Sequence, residues 1–147
     1  KAGESHDIKI EYYQNKGGSS FAFQWGLKEK DYLKKTVDAV SGADIVIFFG
    51  GISSDFEGEE MTVNYPGFLG GDRTSLDLPE IQEKVLKALK ETGKPVILVL
   101  MSGSALSINW ETANLPAIIQ SWYPGEEGGN AIADVLFGDY NPSGYCS

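Results

Sequence analysis

Four carboxylates fall within six residues of this chain: Asp55, Glu57, Glu59 and Glu60. Acids packed this closely serve one of three ends. They form a solvated charged loop, they hold a cation, or one of them is posed for acid–base chemistry. Phe56, Met61, Val63, Tyr65, Phe68 and Leu69 share the stretch, more large apolar groups than a purely solvated loop carries. Among such groups, desolvation and like-charged neighbours raise a carboxyl pKa. That keeps a carboxylic acid protonated for general-acid work near neutral pH. Calcium is the weaker reading. Gly58 is fourth counting from Asp55, whereas an EF-hand loop takes its glycine at the sixth position.

Other motifs point less far. "MSGSA" (Met101 to Ala105) follows an apolar run but lacks the G-x-S-x-G pattern of a nucleophile elbow. The single histidine, His6, lies far off in sequence, so a Ser-His-Asp triad is not expected. The plainer reading is a tight turn with Ser104 as a helix N-cap. "PGEEGGNAIAD" is a glycine-rich helix entry without a P-loop Lys-Ser, and its two acids repel phosphate. With no Cys or His cluster, no zinc, iron or other metal site is expected, and no cofactor. Trp110 and Trp122 lie in or near loops that leave strands, where they contact either a ligand or the core.

These residues need elements to position them. "HDIKIEYYQNKGGSSFAFQWGL" alternates on both sides of a glycine turn and predicts a β-hairpin. From residue 29 helix and strand alternate. "EKDYLKKTVDAVSG" places Leu33, Val37 and Val40 at helical spacing. "ADIVIFFGG" and "KPVILVLMSG" are apolar runs of the kind that strands buried on both faces show. "LPEIQEKVLKALKETG" has Pro79 early, Ile81, Val85, Leu86 and Leu89 on one face, and Gly93 as its stop. "LPAIIQSWYPG" holds a shorter strand, and "EEGGNAIADVLFG" a last helix stopped by Gly138. The fold class is therefore α/β: an open, mostly parallel sheet flanked by helices, an α/β sandwich. Ligands of such sheets bind at the carboxyl ends of the strands. Three loops leave those ends here: the acidic loop, "MSGSALSINW" and "WYPGEEGG". The first is long, roughly two dozen residues, a length that goes with function or disorder. Its apolar content speaks against disorder.

The chain has 147 residues, 41% hydrophobic and 22% charged, with a formal net charge of −9. That is enough chain to bury one core. The negative balance argues against nucleic acid and anionic membrane surfaces as partners, since both require a basic patch. No apolar run reaches the ~20 residues of a membrane span. Cys146 is the only cysteine, so no intrachain disulfide forms and the redox compartment stays open.

Taken together, "ADIVIFFGGIS", "EGEE", the Asp72-Arg73 pair with its Leu78-Pro79, "WYPGEEGG" and "ADVLFGDYNPSG" closely resemble the C-terminal α/β-sandwich domain of family 3 glycoside hydrolases. The likeness runs from about Ala43 to Gly144. The opening hairpin resembles the last strands of the protective-antigen-type β-sandwich that some members carry inserted. The resemblance thus implies two parts: residues 1–28, a remnant of that module, and residues 29–147, the C-terminal domain. The chain is then expected to start partway through a longer polypeptide. At its other end the family continues with a basic residue and a Leu-Pro-x-Thr-Phe strand, where this sequence reads Tyr145-Cys146-Ser147. A strand missing there exposes an edge and favours a homo-oligomer.

The resemblance also implies a chemistry. Members are retaining, exo-acting hydrolases of β-linked glucosides and xylosides. Their nucleophile is an aspartate on an N-terminal (β/α)8 barrel, and no residue here carries its motif. Their acid/base glutamate lies on the loop that bears "EGEE" here. Retaining enzymes hold the two carboxyl groups about 5–5.5 Å apart, so the loop must reach the mouth of the barrel. Glu59 is the first choice for the acid/base, then Glu57, then Glu60. Glu57 and Glu59, two apart in an extended loop, share a side. Asp72 and Arg73 are expected to brace the loop, and Tyr65, Phe68, Trp110 and Trp122 to touch sugar. Alone, the chain lacks half of the carboxylate pair and is expected to be inactive. The competing readings are a carbohydrate-binding domain without chemistry and a scaffold for the barrel. Relatives of this kind act in the periplasm or outside the cell, with the cytoplasm as the alternative.

Overall fold

The structure, a computed structural model, describes residues 5, 7–13, 17, 30–57, 65–70, 72–142 and 144. Its contacts divide the chain into Lys1–Lys30 and Asp31–Ser147. In the first unit, residues 7–13 carry no regular secondary structure. The returning arm of the expected hairpin, with Phe21, Phe23 and Trp25, lies outside the described residues, as do His6 and Cys146.

The second unit is an α/β sheet. Helix α1 (Tyr32–Ala39) leads into strand β1 (Val46–Gly51), and helix α2 (Glu80–Lys90) into strand β4 (Val96–Met101). Between them sit two short strands, β2 (Phe68–Leu69) and β3 (Asp72–Arg73). Helix α3 (Asn109–Asn114), strand β5 (Ala117–Gln120) and helix α4 (Gly128–Phe137) complete the order. The main sheet runs β1-β4-β5. Both of its pairings are parallel, with Val46 opposite Val96 and Ile97 opposite Ala117. β2 and β3 form a separate antiparallel pair. The order follows from strand–helix–strand units, because a parallel neighbour requires a crossover.

α2 shows why these residues make this element. Pro79 sits at its N-cap, Glu80 and Glu83 in its first turn and Lys87 and Lys90 near its end, an arrangement that suits the helix dipole. Glu80 pairs with Lys84, and Glu83 with Lys87, one turn apart. Its inner face buries Leu86 and Leu89 completely. They join Val46, Leu78, Val96, Leu98, Leu100 and Leu115 in one core. Ile81, expected on that face, is exposed instead. It stands in the first turn, beyond the sheet, and lines a cavity with Tyr65, Phe68 and Pro79.

The carboxyl ends of the strands are built with little room to spare. Gly51 has φ of +127°, and a Cβ there would lie 1.7 Å from the Met101 carbonyl oxygen. Only glycine fits. Gln82 of α2 reaches to the same residue. Its amide accepts from the Gly51 N–H at 2.7 Å and donates to the Gly51 carbonyl at 2.7 Å. A side chain thus supplies what a neighbouring strand would give to this edge. The ladder runs one step further, from the Ile52 N–H to the Met101 carbonyl.

Candidate functional site

The three strand exits meet at one carboxylate. After β1 the chain turns at Ser53–Phe56, closed by a 3.0 Å bond from the Phe56 N–H to the Ser53 carbonyl, and presents Glu57. After β4 it presents Gly103 and Ser104. After β5 it presents Tyr123. Glu57 Oε1 accepts from the Ser104 hydroxyl. Glu57 Oε2 accepts from the Tyr123 hydroxyl at 2.5 Å and from the Gly103 N–H at 3.2 Å. Ser104 is thus a donor to the acidic loop, not the helix N-cap expected. The helix that follows starts five residues later, and no side chain caps it.

Arg73 stands behind this arrangement. Its Nη1 donates to the Ser104 hydroxyl and to the Ala105 carbonyl, both at 2.9 Å. Its Nε and Nη2 donate to the Ser75 carbonyl at 3.0 and 2.8 Å. Its guanidinium also lies 5.8 Å from the centre of the Phe68 ring. The residue ties the return of the acidic loop to the exit of β4. Asp72 is exposed and pairs through β3 with Leu69.

These partners set the electrostatics. Burial is the largest single influence on Glu57 and pushes its pKa up. The bonds from Ser104, Tyr123 and Gly103, together with the charge of Arg73, outweigh it and hold the carboxyl below its ordinary value. This reverses, for Glu57, the raised pKa expected of a carboxyl in apolar company. Three donors to the charged form count for more than partial desolvation. The Tyr123 hydroxyl moves the other way, raised by burial and by the hydrogen bond and charge of Glu57.

The aromatic groups close the base of the loop. Phe56 lies 5.4 Å from Tyr65, edge-on, and 5.4 Å from Phe68. Half-buried Tyr65 and Phe68 thus serve first as packing for the point where the loop leaves and returns. Glu59 and Glu60, within that loop, lie outside the described residues. Trp110 is on α3, packed on the core with Lys87 5.4 Å over its ring, and is not among the partners of Glu57. Trp122 is 55% exposed. Its φ of +56° is a left-handed conformation that costs a bulky L-residue about 1–2 kcal/mol. That turn presents Tyr123 to Glu57.

Sequence reading passed over Tyr123 and the role of Ser104. Tyr123 stands in a stretch singled out for its larger neighbour Trp122, and its partner lies 66 residues back. Among the described residues no group of three or more His, Cys, Asp and Glu is placed to hold a metal ion, and no helix is long and apolar enough to cross a membrane.

Comparison with known proteins sets this geometry in context. Residues 4–147 match the glycosyl hydrolase family 3 C-terminal domain. A xylan 1,4-beta-xylosidase of Xylanibacter ruminicola is 49% identical over 146 residues, which cover 99% of this chain and 17% of the xylosidase. A periplasmic beta-glucosidase of Salmonella typhimurium is 43% identical over 112 residues, 76% of this chain and 13% of that enzyme. Among solved structures, the beta-glucosidase of Kluyveromyces marxianus in complex with glucose superposes with a TM-score of 0.65 at 28% identity. That superposition covers 81% of this chain and 13% of the glucosidase.

Proposed function

Because the chain belongs to the glycosyl hydrolase family 3 C-terminal domain, we propose that it is the part of a retaining, exo-acting β-glycosidase that supplies the acid/base. The substrate is a β-linked glucoside or xyloside. The nucleophile comes from an N-terminal (β/α)8 barrel of the same protein. Residues 1–28 are the end of an inserted β-sandwich, and the enzyme works in the periplasm or outside the cell. The observation that carries the reading is the convergence of three strand exits on the carboxylate of Glu57. On this reading Glu57 is the first candidate for the acid/base, and Glu59 and then Glu60 are the alternatives.

In the first half-reaction the barrel's aspartate attacks the anomeric carbon and Glu57 gives its proton to the leaving oxygen. In the second, Glu57 takes a proton from the water that releases the sugar. A carboxyl held below its ordinary pKa suits the second role. The first requires it to be raised, and a nucleophile carboxylate about 5–5.5 Å away supplies the like charge that does so. Without the barrel the chain has one carboxylate of the pair and is inactive. Among the described residues no strand pairs with the outer edge of β1, and Phe49 on it is exposed, which favours a homo-oligomer in that state.

The test is Glu57→Gln in the barrel-bearing protein. Turnover of substrates with poor leaving groups is expected to fall by about 10²–10⁴. Glycosylation by an activated aryl glycoside is expected to persist. An unchanged rate in Glu57→Gln, with loss in Glu59→Gln, would return the role to Glu59. The exposed Trp122 beside Tyr123 favours a second reading, a sugar-binding surface without chemistry. Saturable binding of glucose, xylose or cello-oligosaccharides to this chain alone, seen by calorimetry, would support it.

A further inference from the structure

We infer that Tyr123 is a positioning residue for Glu57, fixing the carboxylate so that Oε1 is the oxygen that carries the exchangeable proton. The inference deepens the acid/base reading, and only its catalytic consequence rests on that reading.

A carboxylate offers about four lone-pair positions, two on each oxygen. Oε2 has both of its positions filled, by the Tyr123 hydroxyl at 2.5 Å and the Gly103 N–H at 3.2 Å. Among the described residues, Oε1 accepts from the Ser104 hydroxyl only, so that one of its positions is left without a described donor. A proton arriving at Glu57 therefore binds Oε1, unless Tyr123 lets go. Ser104 is itself held, because its hydroxyl accepts from Arg73 Nη1 at 2.9 Å. Its hydrogen is thereby directed to Glu57.

Tyr123 reaches this place by two constraints on the chain. Trp122 takes up a left-handed φ just before it. Gly103 leaves the space its ring occupies, since a Cβ there would stand 2.5 Å from Tyr123 Cε2. The phenol remains a donor throughout the working range, because burial and the Glu57 carboxylate raise its pKa above the ordinary value for tyrosine. Among the described residues, Arg73 is the charged group that acts on Glu57.

The test follows the Glu57 carboxyl carbon by NMR through an acid titration of this chain and of its Tyr123→Phe and Ser104→Ala variants. Tyr123→Phe removes one hydroxyl and keeps the ring. The Glu57 midpoint is expected to move up in each variant, and furthest in the two together. An unmoved midpoint in Tyr123→Phe, with native-like amide spectra, overturns the inference. If that variant does not fold, the ring carbon that bears the Tyr123 hydroxyl is followed in the parent chain through the same titration. A step in its shift at the Glu57 midpoint supports the inference, and no step there overturns it. In the barrel-bearing enzyme the alkaline limb of the kcat/KM profile is expected to move up with the midpoint. If the midpoint moves and the limb does not, Tyr123 still positions Glu57, and it is the acid/base assignment that fails.

Discussion

Gly103 shows how little space separates a fixed carboxylate from a displaced one. A methyl group at this residue would stand 2.5 Å from the Tyr123 ring and 3.1 Å from Glu57 Oε2. The ring must then swing away, and its hydroxyl leaves Glu57. Gly103→Ala in the barrel-bearing enzyme is expected to lower kcat/KM by about 10–10², because a misplacement of about 1 Å is enough for that. The melting temperature should move little, since the site is at the surface, away from the Leu86–Leu98 core. Kinetics and a thermal melt on the same sample check both. An equal fall in stability would make Gly103 a folding residue instead. The acids and Arg73 of this site could be read in the sequence because they cluster and carry charge. Tyr123 and Ser104 could not, since they meet Glu57 across 66 and 47 residues. The lowered pKa of Glu57 is hidden from the sequence for the same reason: its apolar neighbours are local in sequence, and its donors are not.

At the scale of elements, the three strands of the main sheet and the longer helices were legible, and α3, β2 and β3 were not. The apolar runs that became β1 and β4, and the spacing that became α2, need no distant partner to be recognised. α3 has six residues and β2 and β3 two each, too few for a period to show. α3 nevertheless carries a consequence. Its Glu111 is 3% exposed. Burial, and then the nearby Glu83 and Asp77, raise its pKa, against a bond from its own N–H and the charge of Lys87. A carboxyl whose folded pKa is raised binds its proton more tightly in the native state. Its contribution to stability is present below the unfolded pKa and is lost as pH rises through the folded one. Glu111→Gln has no such loss. The variant is therefore expected to gain in melting temperature over the parent as pH rises from about 4 to 7, the window above the usual glutamate pKa. A constant difference across that range would mean that Glu111 does not titrate abnormally.

The whole molecule carries 21 acidic against 12 basic residues, a formal net charge of −9. Even if every base were paired, acids would remain in excess. Pairs within its helices, such as Lys34–Asp38, Glu80–Lys84 and Glu83–Lys87, are exposed to solvent, where they contribute little. Salt weakens those pairs and also weakens the repulsion among the excess acids. The two effects oppose each other, and their magnitudes decide the sign. Weak local pairs such as these are set against a repulsion felt across the folded domain, which net charge destabilises. Repulsion is the larger, so the melting temperature at neutral pH is expected to rise as salt is added. Going from about 0.02 to 0.3 M sodium chloride shortens the Debye length from roughly 20 to 6 Å, less than the span of the sheet. Calorimetry at those two concentrations reads the result directly. A fall in melting temperature would mean that the helix pairs, or bonds such as those from Arg73 around Ser104, hold more of the fold than their exposure suggests.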